Sequence, residues 1–351
     1  MLHIFVRRSR DATYLTEDPA RELEDVRDGP AAWRLRGSGA VEDVFTSTAR
    51  SQVVGYDLVV AAPRPVSILL ALEPEHGAGV VAAHRTSVAA LVDYLEERAL
   101  VVRDRRGGDE RDRAARWSGV VGFTHGLNRH GEPHLHDHVL VGARPAGEGT
   151  VLDSRSLFAH AGAADALYRS SLRHEVGART PRRVWRSFYG VERVEGLDEG
   201  FRELWGGHHA ERGEKLHWTR DEARARWAGD LSRFREAGVV AAPPVRDTVD
   251  EHAFASALEG LAAPARRHVV AAWAGAAVFG EPARELSVIL DDLYPQLRDA
   301  RGVREPGLGL AAARMTAAVR DRGPRPLARE DLTRWLQRSR EREISRADLS
   351  R

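Results

Sequence analysis

The stretch Phe123-Thr-His125-Gly-Leu-Asn128-Arg-His130-Gly131-Glu-Pro133-His134-Leu135-His136-Asp137-His138-Val139-Leu-Val141 decides how this chain is read. Its flanks, Trp117 to Thr124 and Leu135 to Arg144, are rich in β-branched and apolar residues, while Gly126, Asn128, Gly131 and Pro133 between them are turn formers. The pattern predicts two antiparallel strands joined by a loop. Side chains alternate along a strand, so His136 and His138 share a face and Asp137 points the other way. His125, at the end of the partner strand, completes a set of three. Three neutral imidazoles bind zinc, manganese, cobalt or nickel, and the coordination positions they leave open suit catalysis better than structural closure. The chain contains no cysteine, which excludes a zinc finger. Histidine-rich loops are otherwise solvated turns, and that is the reading given to His130 and His134.

Upstream, Gln52 to Val60 reads as a buried strand with a carboxylate, Asp57, in its middle. Aspartate is disfavoured in strands, and burying a charge without a partner is costly. Asp57 therefore needs a cation, a hydrogen-bond donor or a solvent-lined cavity. The ring N–H of a metal-bound histidine is one such donor; an arginine ion pair is the competing reading.

These residues resemble a known family. The run Gly55-Tyr-Asp57-Leu-Val-Val-Ala-Ala-Pro63-Arg-Pro-Val-Ser67, with Phe123-Thr-His125, Pro133, Leu135-His136 and His138, is similar to the conjugative relaxases of the TrwC/TraI (MobF) class of HUH single-stranded DNA endonucleases. The resemblance continues weakly through Ala166 to Arg169 and reaches about residue 235. Arg64 and Pro65 depart from the family's usual Lys-Ser but keep a positive charge, which makes Arg64 a candidate DNA contact. The family's nucleophile is an N-terminal tyrosine after the first strand. Here Met1 to Arg8 reads as that strand, and Tyr14 is the only tyrosine before Tyr56.

The resemblance implies that Tyr14 attacks a phosphodiester at an origin of transfer, leaving a free 3′-hydroxyl and a 5′-phosphotyrosyl link, so that the strand can later be rejoined without ATP. It implies a divalent ion on His125, His136 and His138, magnesium or manganese by availability and zinc or nickel by affinity. Asp57 acts as base or orients a histidine. The implied partners are single-stranded origin DNA, duplex or hairpin DNA, a helicase in trans, and relaxosome or type IV secretion coupling proteins. With one N-terminal tyrosine, a second strand transfer needs another protomer, a second round by Tyr14, or water.

Three alternatives stand beside this reading. A replication initiator or transposase of the same superfamily generally places its tyrosine after the histidines, opposite to the order here. A non-catalytic origin-binding protein would keep the fold without the chemistry, and an unrelated three-histidine hydrolase would retain activity in Tyr14→Phe.

Composition bounds the rest. The chain has 351 residues, 42% hydrophobic content and eight tryptophans, enough for one large or two ordinary folded domains. A net charge of +1 confines DNA contacts to local patches. One candidate is the Gly-containing linker bearing Arg103, Arg105, Arg106, Arg111, Arg113 and Arg116. The other is Arg179, Arg182, Arg183 and Arg186, interleaved with Trp185 and followed by Phe188 and Tyr189. Lys215, the single lysine, lies between Glu214 and Leu216, so there is no Walker A loop. No apolar run is long enough to span a membrane and no signal-peptide pattern opens the chain, so a cytoplasmic location is expected.

Along the chain, an irregular or helical stretch is expected over 14–39 and a helix from about Pro65. A longer helix is expected over Gly79 to Arg98, a strand over Leu100 to Arg103, and helices over Ala161 to Val176 and Thr219 to Ala237. A short strand is expected near Val184 to Val191. The fold class is α+β: a mostly antiparallel central sheet flanked by helices, with a C-terminal helical region. Ala241 to Asp247 reads as a linker between a relaxase-like domain over 1–240 and a helical accessory domain or lid over 249–351. The latter contains predicted helices at Pro264 to Ala277, Pro282 to Leu297, Leu308 to Arg322 and Leu327 to Arg346.

Overall fold

A computed structural model of the chain describes residues 1–12, 15, 32–37, 41–45, 52–106, 109–128, 130–146, 150–187, 190–197, 220–234, 249–258, 261, 264–284 and 286. In chain order they carry strands β1 (Leu2–Arg7), β2 (Ala32–Arg36) and β3 (Gly55–Ala61), then helices α1 (Arg64–Leu72) and α2 (Gly77–Arg98). Strands β4 (Val101–Arg106), β5 (Asp109–Ala114), β6 (Val120–Leu127) and β7 (Pro133–Gly142) follow. Next come α3 (Ser154–Arg179), β8 (Val184–Arg186), β9 (Glu192–Val194), α4 (Arg220–Phe234), α5 (Glu251–Leu258) and α6 (Arg266–Ala276). The expected linker at 241–247 and the two last predicted helices lie outside the described residues, as do Lys215 and most of the predicted helix from Pro282.

Five strands form one antiparallel sheet in the order β1-β3-β7-β6-β2. The predicted hairpin is its centre, which explains the near-continuous apolar flanks: every residue of β6 is buried, as are most of β7, because both faces are covered. One face bears Leu58, Val60, Val139 and Val141 and packs on the apolar stripes of the two long helices. Val80, Val88, Leu91 and Leu95 of α2 and Leu157, Leu167, Leu172 and Val176 of α3 belong to the same core. Each such side chain contributes about 1.5–3 kcal/mol on burial. Asp153 caps α3 by accepting a hydrogen bond from the Arg155 amide at 3.0 Å.

Two elements depart from the sequence expectation. β2 lies in the stretch read as irregular or helical. It is an edge strand paired with β6, and Arg36 anchors it to α2 through Glu96 at 3.0 Å and Asp93 at 2.6 Å. The arginine-rich segment read as a linker folds as the β4–β5 ribbon, in which Arg103 stands opposite Asp112, Asp104 opposite Arg111, Arg105 opposite Glu110 and Arg106 opposite Asp109. That register puts residues of opposite charge at paired positions, a sequence pattern that favours it.

The first helices beyond residue 249 are built into the same core. Phe254, Val269, Val270 and Trp273 join the apolar cluster shared with the sheet and α3. Arg173 of α3, only 2% exposed, donates from Nη2 to the Ala274 and Ala277 carbonyls at 2.8 Å, satisfying the C-terminal end of α6. Its Nη1 meets Glu192, which also holds Arg169. No described helix is long and apolar enough to cross a membrane.

Candidate metal centre

Register places the three histidines. His125 pairs directly with His136, and Phe123 with His138, so all three rings rise from one face of β6 and β7. Their centroids lie 5.1, 5.3 and 5.5 Å apart, and one ligand nitrogen from each lies within 4.8 Å of the other two, close enough for one cation to touch all three. On the next strand Val59 is opposite His138 and Asp57 opposite Leu140. Asp57 is thus a diagonal neighbour of His138 on the same face, and its two oxygens stand 3.0 and 2.9 Å from His138 Nδ1.

Those contacts fix which nitrogens are left for a metal. A carboxylate accepts only, so His138 carries its proton on Nδ1 and keeps the Nε2 lone pair for a ligand bond. His136 does the same, with Nδ1 2.8 Å from the His134 carbonyl. Burial holds the His136 imidazole well below its ordinary pKa, with the charges of His134, His125 and His138 adding to the effect. A neutral, oriented imidazole set of this kind fits zinc, manganese, cobalt or nickel.

The loop between the strands is held from three sides. Asn128 Oδ1 accepts from the His130 and Glu132 amides at 2.9 Å, and Gly131 takes the positive φ that the turn requires. Arg64 Nη1 donates to the Pro133 carbonyl at 3.0 Å, and Nη2 lies 3.6 Å from Glu132. From α4, Trp227 Nε1 donates to the Gly131 carbonyl at 2.8 Å and Arg226 to the His130 carbonyl at 2.9 Å. Ser67, in the family-like run, accepts the Leu135 amide at 3.0 Å.

Tyr14 lies outside the described residues. Ala12 and Leu15, on either side of it in the sequence, are buried in an apolar cluster with Val44, Phe45, Val54, Val121, Phe123 and Leu140, on the triad's side of the sheet. The second basic patch does not converge on the triad. Arg179 bonds Thr86 and pairs with Glu175, Arg182 pairs with Glu73, and Arg183 stacks over Phe279 at 4.3 Å. Trp185 is 5% exposed, and Arg186 donates to the Gly275 carbonyl. Phe188 and Tyr189 lie outside the described residues. Of the first patch, Arg113 and Arg116 are exposed.

Sequence reasoning missed two features: the Trp227 clamp and a polar cluster behind the sheet. Asp137, fully buried, meets Trp33 Nε1 at 2.8 Å and His84 Nε2 at 3.2 Å. Burial pushes its carboxyl up, but His84, the Thr124 hydroxyl and Arg85 outweigh that and hold it below its ordinary value. The available signal was a histidine and a serine, His84 and Ser87, on the apolar stripe of α2.

The chain is similar to known proteins in sequence and in fold. A family model described as TrwC relaxase matches residues 10–205, more than half of the chain. Among solved structures, the conjugative relaxase TrwC in complex with oriT DNA, in a copper-bound form, superposes with a TM-score of 0.54 at 19% identity, covering 66% of this chain and 98% of that one. TrwC complexed with a 27-mer DNA comprising the recognition hairpin and the cleavage site gives 0.52 at 16% identity, with 66% and 98% covered. A metal-bound TrwC complex with oriT DNA gives 0.51 at 17%, with the same coverage. No curated protein matches the chain. With the α+β fold, the histidine hairpin and the family match in agreement, the chain belongs to the TrwC relaxase family.

Proposed function

We propose that this relaxase nicks one DNA strand at an origin of transfer and rejoins it by tyrosine transesterification. The observation that carries the reading is the His125, His136 and His138 set with Asp57 bonded to His138, within a chain of the TrwC relaxase family. His125, His136 and His138 would hold a divalent ion, magnesium or manganese in the cell and zinc or nickel where available, and such an ion would supply charge withdrawal from the non-bridging phosphate oxygens. The Tyr14 hydroxyl supplies the nucleophile: the Tyr14 Oη–P bond forms, the P–O3′ bond breaks, and the tyrosine proton balances the 3′-hydroxyl that leaves. Asp57 orients His138 and keeps its Nε2 lone pair directed at the site; it is a positioning residue. Burial of Ala12 and Leu15 on the triad's side of the sheet supports Tyr14 as the residue brought to the phosphate.

In this reading the enzyme works in the cytoplasm on single-stranded origin DNA beside a hairpin or duplex. A helicase in trans unwinds the strand, and relaxosome and type IV secretion coupling proteins receive the product, as in plasmid or integrative-element mobilisation. The test is incubation with a 3′-labelled single-stranded oligonucleotide carrying the element's origin, with Mn²⁺. A labelled protein band that survives denaturant, absent in Tyr14→Phe while DNA binding persists, is expected. A band retained in Tyr14→Phe would overturn the assignment of the nucleophile.

A further inference from the structure

The polar cluster behind the triad occupies the interface between the sheet and the two long helices. Asp137 Oδ2 accepts from Trp33 Nε1 at 2.8 Å, and Oδ1 stands 3.2 Å from His84 Nε2, an ion-pair contact rather than an aligned hydrogen bond. His84 Nδ1 meets the Tyr168 hydroxyl at 2.8 Å, and Arg85 Nε donates to Thr124 Oγ1 at 3.0 Å. His84, Thr124, Asp137 and Tyr168 are fully buried. Gly122 makes room: a Cβ there would run into the Trp33 indole, which crosses this strand to reach β7.

Stability does not account for the cluster. Buried polar and charged groups lose hydration, and a well-packed apolar replacement is commonly as stable or more so. Its place in the sequence does account for it. Thr124 immediately precedes His125, Asp137 lies between His136 and His138, and Thr124 and Asp137 face each other across the ladder. Both polar side chains that β6 and β7 give to the cluster therefore belong to residues bonded through the backbone to a triad histidine on the opposite face. In a pleated strand, fixing one side chain against the helices fixes the direction of its neighbours, and a one-residue slip would exchange the two faces. Trp33, Thr124 and Asp137 come from three adjacent strands of the five, and His84 and Tyr168 from two helices, so the anchor ties three strands to both helices behind the site.

We propose that Asp137, through His84, Tyr168 and Trp33, is the positioning centre that holds His125, His136 and His138 in ligand geometry. This rests on reading the triad as a metal site. The probe is Co²⁺, whose visible bands report ligand geometry and whose affinity is read by titration of the full chain.

Asp137→Asn keeps shape and removes the charge; it is expected to weaken Co²⁺ binding about tenfold, at the low end for groups that orient metal ligands, and to shift the bands. Tyr168→Phe, which removes one hydroxyl, is expected to weaken it about threefold and decides the matter if Asp137→Asn does not fold. Val141→Ala, on the same strand and face but not next to a triad histidine, is the comparison for lost packing, expected to lower Tm while leaving affinity and bands unchanged. Unchanged affinity and bands in Asp137→Asn, or in Tyr168→Phe where only that variant folds, would overturn the proposal. So would an equal response in Val141→Ala. A wild-type chain that binds no Co²⁺ would overturn the metal reading itself.

Discussion

Replacing Arg173 by leucine tests how firmly the helices beyond residue 249 are joined to the sheet-bearing core. The guanidinium is 2% exposed, bonds the Ala274 and Ala277 carbonyls at 2.8 Å and meets Glu192 at 3.3 Å. Burial lowers its pKa to about 10, with Glu192 opposing, so it stays charged at neutral pH. Removing one partner of a buried ion pair costs about 3–5 kcal/mol. Glu192 keeps Arg169 at 3.0 Å, which softens the loss, whereas the two carbonyls at the end of α6 lose a charged donor. The expected cost is therefore at the low end, about 3 kcal/mol, or roughly 4 °C in Tm for a chain of this size. Urea unfolding gives the total. Hydrogen exchange of the α5 and α6 amides gives its location, since those helices should open before the sheet does. A loss under about 1 kcal/mol, or unchanged protection of α6, would refute the reasoning.

Two further outcomes follow from the hairpin. Burial, aided by Arg64, lowers the His134 pKa from 6.5 to about 4, so the unfolded chain takes up a proton that the folded one refuses. Stability is fully present above pH 6.5 and declines as pH falls towards 4. Because part of the ring faces solvent, the loss is roughly 2 kcal/mol rather than the full shift, and His136 adds to it with the same sign. A series of melting temperatures from pH 7.5 to 4.5 should slope less steeply in His134→Gln; parallel slopes would exclude this origin. Trp227→Phe keeps the packing on Ile68 and Leu127 but drops the bond to the Gly131 carbonyl, which should cost about 1 kcal/mol. Trp227→Ala should cost about 3 kcal/mol or more by urea unfolding.

The hairpin and the Asp57 strand were legible because their signals are local: alternation, turn residues and a carboxylate out of place. Edge strand β2 was not, because its partner β6 lies some ninety residues away and nothing in Ala32 to Arg36 announces the pairing. The ribbon was read as a linker because its glycines and arginines dominate the eye. The order in which opposite charges face each other becomes visible only once the register is known. The arginines from 179 to 186 looked like a free basic surface, yet Arg179 pairs with Glu175 on its own helix, while Arg182 and Arg186 reach Glu73 and the Gly275 carbonyl, both far away in the sequence. Alternation did say that Asp137 points away from the histidines; it gave no means of seeing His84, Tyr168 and Trp33 waiting there.

Strand β7 has almost no residue without an assignment. One side of it carries the candidate ligands His136 and His138, the other Asp137, Val139 and Val141, and nearly every position is buried. A saturation library over 133–142, scored for survival of the folded protein or of transfer, should therefore be depleted along its whole length. Odd and even positions will fail for different reasons. Scored instead for metal binding in the variants that still fold, the same library should split with a period of two, and that split maps the two faces of the strand.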